Sequence, residues 1–233
     1  MRVVPRLLIA AALVLGATFS VALAQGDSDR VIPGGGIFVQ GWTGKIDPSS
    51  VSQGRVLKDA KFAQEGNALH VTTGPATTFW NPANKASGDY TVKATFLEPK
   101  FMNLNSHPHS YGVFIGGNDL GTNQQTLMYC AAYGDGTFIV RGFGPAPFQL
   151  NGRQPTDNAA VHKAAGLNQP VTQEIALTVK GGRVECSING TVVAGYDKAV
   201  VVASDRLKAT DGVYGLRFTH NVETVITGFG VSK

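Results

Sequence analysis

Residues 175–195 decide the fold and read IALTVKGGRVECSINGTVVAG. From 183 to 188, polar and apolar side chains alternate, which is the period of a β-strand with one face in the core and one in water. A Gly-Gly pair at 181–182 and an Asn-Gly pair at 189–190 separate the apolar runs. Because Gly and Asn tolerate the positive φ angles of tight turns, both pairs predict β-hairpins.

The same alternation recurs along the chain after Trp42, and no stretch there shows a convincing helical period. Strands are predicted at 91–96 and at 137–143, and a Gly-Asp-Gly turn precedes the latter at 134–136. Turn signals in the second half lie roughly ten residues apart, and no change of composition marks a linker. The sequence therefore predicts one all-β domain, an antiparallel two-sheet sandwich over 41–233.

Residues 151–170 do not follow this pattern, because they are polar and rich in Ala, Asn and Gln. They predict a long loop with one helical turn around 158–165. Loops of this length are usually functional or mobile. A second loop is predicted at 99–109, and it contains two histidines.

The first 24 residues have the three parts of a secretory signal peptide. Two arginines come first, residues 7–22 are almost wholly apolar, and an Ala-Leu-Ala cleavage site ends the segment. The apolar run is shorter than the ~20 residues that span a bilayer, so we expect no membrane span. The mature chain is expected to start with a flexible, Gly-rich segment over 25–40 and to be exported, to a periplasm or out of the cell.

The charge balance argues against a nucleic-acid partner. The chain has 20 Lys and Arg against 16 Asp and Glu, a formal net charge of +4, and loss of the leader arginines lowers this charge further. Nucleic-acid binding needs a stronger basic surface. A charged content of only 15% and a count of 29 glycines also argue against a coiled coil or a helical bundle.

The two cysteines, Cys130 and Cys186, both lie in the expected mature chain. An exported protein meets an oxidising environment, in which such a pair can form a disulfide. The alternative is two small buried residues on separate strands. Two cysteines are too few for a structural zinc site.

Several motifs resemble those of a known superfamily. They are Gly41-Trp42, the hairpin-like EGNALHV at 65–71, GDYTV at 88–92, the Asn-Gly turn at 189–190 and GVYGLR at 212–217. Together they are similar to laminin-G-like and concanavalin A-like jelly rolls, near the branch of keto-disaccharide hydrolases, and the resemblance spans 42–233. It implies an antiparallel two-sheet jelly-roll sandwich that binds carbohydrate on its concave sheet or its rim loops.

Carbohydrate recognition needs a flat apolar surface and a few planar hydrogen-bonding groups. The candidate ligand-binding residues are Trp80, Asn81, His107, His109, Tyr111, Arg141 and Phe143, of which the last two share one face of the strand at 137–143. His220 is a weaker candidate, and Trp42 is expected in the core. Arg217 is expected to point outward, where pairing with a carboxylate contributes little to stability.

The most reactive side chains cluster in NSHPHSY at 105–111. The proline between the histidines favours an extended backbone, so His107, His109 and Tyr111 are expected to project from one face at intervals of about 6.6 Å. They fit a polar strand end without a ligand, contacts to sugar hydroxyls, or a metal held together with a carboxylate such as Asp119. Two histidines are fewer ligands than a stable metal site needs, so we assign no metal and no cofactor.

Recognised catalytic motifs are missing from the sequence. Glycoside hydrolysis usually needs two carboxyl groups about 5 to 9.5 Å apart, and the E-x-D-x-E strand common in jelly-roll glucanases does not occur here. A G-x-S-x-G elbow and an H-E-x-x-H helix are also absent. We therefore expect a non-catalytic carbohydrate-binding module that binds a glycan or glycoconjugate, and we assign no catalytic residue. The alternatives are a glycoside hydrolase of the keto-disaccharide type that uses His107 or His109, and an envelope scaffold protein.

Overall fold

The structure, a computed structural model, describes residues 28–233. The predicted signal peptide therefore lies outside the described residues. No helix within residues 28–233 has both the length and the apolar character needed to cross a bilayer.

Strands dominate the described chain. They are β1 Gly36–Ile37, β2 Thr43–Ile46, β3 Lys61–Glu65, β4 Ala68–Thr72, β5 Thr77–Ala86, β6 Tyr90–Glu98, β7 Tyr111–Asn118, β8 Thr126–Ala132, β9 Thr137–Phe143, β10 Phe148–Gln149, β11 Thr156–Asp157, β12 Val171–Lys180, β13 Arg183–Ile188, β14 Thr191–Asp197, β15 Gly212–Phe218 and β16 Glu223–Ser232. Short helical segments interrupt them at α1 Pro48–Ser52, at a 3-10 turn Leu57–Asp59 and at α2 Lys198–Val201.

The strands form two sheets that pack face to face. Sheet I has the order β1-β3-β4-β16-β6-β12-β13-β14, and sheet II has the order β10-β9-β8-β7-β15-β5-β2, with β11 also paired to β9. Apart from the parallel pair β1 and β3, neighbouring strands are antiparallel. The predicted antiparallel two-sheet sandwich is confirmed.

The core lies between the sheets and follows the alternation of the sequence. On β6, Val92 and Phe96 are buried, whereas Lys93 between them is exposed. The ring of Phe96 meets the ring of Tyr111 from sheet II at a centroid distance of 5.5 Å. Aromatic contacts of this kind join the two sheets and contribute beyond the buried area alone.

The predicted hairpin turns are confirmed. The Asn-Gly pair connects β13 to β14 with φ angles of 50° at Asn189 and 80° at Gly190. The Gly-Gly pair at 181–182 connects β12 to β13, and the Gly-Asp-Gly turn at 134–136 connects β8 to β9. Asn189 does more than turn the chain, because its side-chain amide donates to Gln173 Oε1 at 2.7 Å.

A disulfide joins Cys130 on β8 to Cys186 on β13. The bond therefore links sheet II to sheet I, and both cysteines are fully buried. Of the two alternatives for the cysteines, the structure shows the bonded pair.

Residues 28–40 lie against the sandwich instead of forming the flexible segment that the sequence suggested. The N–H of Ile32 donates to the carbonyl of Asp59 at 3.1 Å, and β1 pairs with β3. The side chain of Asp29 is buried. This segment thus contributes to the end of the sandwich where the histidines lie.

The long loop at 151–170 is present. In place of the helical turn predicted around 158–165 it contains a single tight turn, in which the N–H of Val161 donates to the carbonyl of Asn158 at 3.0 Å. Residues 156–157 pair with β9 as β11, and Lys163 forms a β-bridge with Asp135. The N–H groups of Asn158 and Ala164 donate to the carbonyls of Gly136 and Gly134, so part of the loop backbone is satisfied by the neighbouring turn.

Candidate functional site

The face of sheet II that points away from the core is also apolar. On β7, Val113 and Ile115 belong to the core between the sheets, so Phe114 points to the opposite side. There it belongs to a second buried cluster with Trp80, Leu127, Tyr129, Ala131 and Ile139. The outer face of sheet I instead carries polar side chains such as Thr91 and Lys93. Sheet II therefore buries apolar side chains on both of its faces.

The loop at 119–125 covers part of this outer face. Leu120 packs against the apolar cluster, a Cβ on Gly121 would lie 3.8 Å from the ring of Trp80, and Lys45 Nζ donates to the carbonyl of Thr122. As a result, Trp80 is only 6% exposed. This burial differs from the ligand-binding role expected for Trp80.

Asn81, the neighbour of Trp80, uses its side chain locally. Its Oδ1 accepts a hydrogen bond from the N–H of Ala83 at 2.9 Å, as in the turns that Asn commonly stabilises. Neither Trp80 nor Asn81 lines the groove described next.

A groove of about 450 Å³ remains open on the outer face of sheet II. Its apolar wall includes Tyr129, Phe143 and Phe148. The rings of Tyr129 and Phe143 are inclined by 32° with their centroids 6.3 Å apart. The structure thus places Arg141 and Phe143 in one groove, as their shared strand face suggested. Tyr129 was not among the expected residues, although the alternation on β8 places it on the same face.

Arg217 forms the floor of the groove and is almost completely buried. Its guanidinium donates to both carboxylate oxygens of Asp47, at 2.7 and 2.5 Å. Burial alone would lower the pKa of Arg217, but the carboxylate of Asp47 raises it above its ordinary value, so the guanidinium stays charged. Its carbon also lies 5.4 Å from the ring centroid of Tyr129 and 5.1 Å from that of Phe143. The expectation of a weak surface pair was therefore wrong, because the rings and Asp47 enclose the charge.

Arg141 adds hydrogen-bonding capacity to the groove. Its Nη2 donates to the carbonyl of Arg153 at 2.7 Å, which fixes the side chain. Its Nε is buried without a hydrogen-bond partner among residues 28–233. A donor of this kind is costly unless a ligand or water satisfies it.

A larger cavity of about 620 Å³ lies among the loops that contain Pro145 and Leu207. None of the side chains lining it is aromatic. It lacks the flat apolar surface on which a sugar ring packs, so the groove is the better candidate site.

Three histidines meet at the end of the sandwich next to the groove. Thr219 lines the groove, and His220 follows it directly in the chain. One ring nitrogen from each of His107, His109 and His220 lies within 4.8 Å of the others. We call these three residues the histidine cluster.

Tyr111 does not join the histidines, in contrast to the expectation that all three side chains share one face. It is fully buried between the sheets, because β7 begins at Tyr111 and its alternation turns this side chain toward the core together with Val113. Tyr111 is therefore a core residue and is left out of the candidate site.

Glu98 is a buried carboxyl group that was not among the site residues expected from the sequence. It continues the inward alternation of Val92 and Phe96 on β6 and is 3% exposed. Burial is the main cause that raises the pKa of Glu98 to about 7, although a backbone hydrogen bond from Met102 opposes the shift. The inward period of β6 was the signal that could have identified it.

The raised pKa predicts that stability falls as the pH rises from about 4.5 to 7. In this range the folded state keeps the proton of Glu98 and the unfolded state, with an ordinary pKa of 4.5, has lost it, so the unfolded state is favoured by rising pH. Glu98→Gln should remove this dependence and stabilise the protein by up to about 3 kcal/mol at pH 8, with little change at pH 4.

Urea unfolding at several pH values measures this effect. The matched control is Glu65→Gln, because the Glu65 side chain is 71% exposed. Parallel stability profiles for Glu98→Gln and the unchanged protein would contradict the prediction.

Comparison with solved structures finds proteins that share this two-sheet sandwich fold. The sequence matches no protein-family model and no curated protein. Carbohydrate-binding module CBM66 from Bacillus subtilis is similar with a TM-score of 0.54 at 9% identity, covering 83% of this chain and 96% of that chain. A protein of unknown function with a galectin-like fold from Bacillus subtilis gives a TM-score of 0.51 at 13% identity, covering 82% and 88%. The resemblance in fold expected from the motifs is confirmed.

Proposed function

We propose that the chain is an exported, non-catalytic carbohydrate-binding module that holds a glycan or glycoconjugate in the groove of sheet II. The observation that carries this proposal is that the half-buried rings of Phe143 and Phe148 line one open groove together with Arg141. Aromatic rings cover the apolar face of a sugar, and planar polar groups bond its hydroxyls.

The groove is held in shape before a ligand arrives. Arg217 is fixed between Asp47 and the two aromatic rings, and Arg141 is fixed by the carbonyl of Arg153. Side chains that are already ordered lose less conformational entropy on binding. Gln149 and Thr219 add polar side chains to the lining.

The acidic chemistry of the groove favours binding over hydrolysis. Asp47 is the acidic residue among those that line it, and both its oxygens accept hydrogen bonds from Arg217. Hydrolysis of a glycoside usually needs two carboxyl groups that can exchange protons or attack the sugar. Both oxygens of Asp47 are engaged by Arg217, and the described lining of the groove offers no second carboxyl group.

The fold and the disulfide are consistent with this proposal. A carbohydrate-binding module is one of the solved structures that share the fold, although fold alone does not define a ligand. The buried Cys130–Cys186 bond suits a protein that leaves the reducing cytoplasm, in agreement with the predicted signal peptide.

The proposal predicts that Arg141→Ala weakens glycan binding by at least about tenfold, because a buried hydrogen-bond donor and its ligand contact are lost. A glycan microarray identifies a bound glycan, and calorimetry then compares the variants on it. Arg153→Ala is the matched control, since Arg153 contacts Arg141 only through its backbone carbonyl in the bond described. The proposal fails if no glycan on the array is retained, or if Arg141→Ala binds as tightly as the control.

A glycoside hydrolase remains the second candidate function, and the histidine cluster favours it. His107 Nε2 and His109 Nε2 lie 2.8 Å apart, close enough to share a proton. Release of reducing sugar from the glycan found on the array, lost on His107→Ala, would favour this candidate over a binding module.

A further inference from the structure

The histidine cluster unites residues from distant parts of the chain. His107 and His109 precede β7, and His220 follows β15. The two strands are neighbours in sheet II, and their pairing continues beyond the strands because the N–H of Thr219 donates to the carbonyl of Ser110 at 2.9 Å. The fold therefore supplies a third imidazole beside the two that the sequence shows close together.

The spacing of the ring nitrogens suits a shared metal ion. The nitrogens lie within 4.8 Å of one another. The shortest pair, His107 Nε2 and His109 Nε2, is joined by a hydrogen bond of 2.8 Å, and an ion bound by both would take the place of its proton. Ligands around a tetrahedral zinc-sized ion lie about 3.3 Å apart, given metal–nitrogen distances of about 2.0 Å. His107 is exposed, so its side chain can adjust and the cluster is reached from solvent.

Polar groups lie beside two of the rings. Asp29 Oδ1 lies 2.9 Å from His220 Nδ1, and the side-chain amide of Asn105 lies 2.9 Å from His109 Nδ1. Each contact uses Nδ1, and His109 directs its Nε2 toward Nε2 of His107. A carboxylate behind a histidine is the usual support of a metal ligand.

The charge of Asp29 provides an independent argument. The Asp29 side chain is 6% exposed, and its Oδ2 has no hydrogen-bond partner among residues 28–233. A buried carboxylate with an unused oxygen is costly unless a positive charge lies near it. A metal ion bound by the three histidines would supply this positive charge, because His220 lies next to Asp29.

We propose that His107, His109 and His220 bind one divalent transition-metal ion of the zinc type. Imidazole ligands suit zinc, copper, iron and nickel and do not suit calcium or magnesium. Three protein ligands leave a fourth position for water or for an oxygen of a ligand. Asp119, the carboxylate considered from the sequence, pairs with Lys208 instead. This site goes beyond the proposed function, and it lies one residue from the groove through Thr219.

The proposal is tested by titrating zinc chloride into the untagged protein after EDTA treatment and removal of the chelator. Calorimetry should show one ion bound per chain, and binding should raise the melting temperature, because the ion binds the folded state. Cobalt chloride gives a second readout, since tetrahedral cobalt has characteristic visible absorption bands. No glycan is present, so the outcome does not depend on the proposed function.

Variants separate the cluster from adventitious surface binding. His107→Ala and His220→Ala should each weaken zinc binding at least tenfold, and Asp29→Asn should weaken it by about 10- to 100-fold. His162→Ala is the matched control, because His162 is exposed and contacts the carbonyl of Thr172. His107 is exposed, so its variant is expected to fold even if His220→Ala does not. Absence of zinc binding, or equal affinity in His107→Ala and the control, would overturn the proposal.

Discussion

Replacing both Cys130 and Cys186 by alanine is expected to lower the free energy of unfolding by about 4 kcal/mol. The bond joins residues separated by 56 positions and links β8 in one sheet to β13 in the other. Without it the unfolded chain gains the entropy of a long open loop, and the folded state gains nothing. Alanine at both positions avoids leaving thiols that could pair with other molecules.

Urea unfolding followed by circular dichroism measures this loss. The unchanged protein, unfolded in the presence of a thiol reductant, should lose a similar amount, because the same constraint is removed without a substitution. Coincident unfolding midpoints for the double variant and the oxidised protein would show that the bond does not contribute.

Asp47→Ala is expected to destabilise the protein by about 3 to 5 kcal/mol. The substitution leaves the guanidinium of Arg217 buried, with a side-chain exposure of 4%, and without its carboxylate. Thr78 Oγ1 at 3.2 Å and the two aromatic faces remain as contacts, but they do not neutralise the charge. The loss should appear as a lower midpoint in urea unfolding.

Two further variants identify the cause of this loss. Combining Asp47→Ala with Arg217→Met should recover much of the stability, because no charged group is then buried without a partner of opposite charge. Asp197→Ala is the surface control: it breaks the pair with Arg183, in which the Asp197 side chain is 71% exposed, and should cost less than about 1 kcal/mol. A loss at Asp47 no larger than at Asp197 would contradict a buried-charge penalty.

The sheet architecture could be predicted from the sequence because its determinants are local. Alternation over a few residues predicts a strand, and a Gly or Asn pair predicts its turn. The strand predicted at 137–143 is β9 with the same bounds, and the turn at 189–190 connects β13 and β14. The exception at 158–165 had no such period to guide it, and hydrogen bonds to the turn at 134–136 hold it in place.

The candidate site could be predicted only in part, because its contacts join distant residues. Arg141 and Phe143 share one strand, so their common face was evident. Asp47 and Arg217 are separated by 170 residues, and nothing in the local sequence relates them. His220 was likewise too far along the chain for its approach to His107 to be predicted.

Tyr111 shows that an extended backbone does not by itself determine which side chains share a face. A strand that starts before the histidines would place all three side chains on one face. Because β7 starts at Tyr111, both histidines lie outside the strand and its alternation does not apply to them. Only Tyr111 follows that alternation, and its side chain points into the core.

The position of Asp29 has a practical consequence for how the protein is produced. It lies four residues after Gln25, where the mature chain is predicted to start, so an N-terminal purification tag would begin within about 14 Å of Asp29, which contacts His220. The histidines of such a tag would compete with the histidine cluster for added zinc and would obscure zinc binding by the cluster. The carboxyl end is the safer place for a fusion, because β16 runs from Glu223 to Ser232 and carries the terminus about 30 Å away.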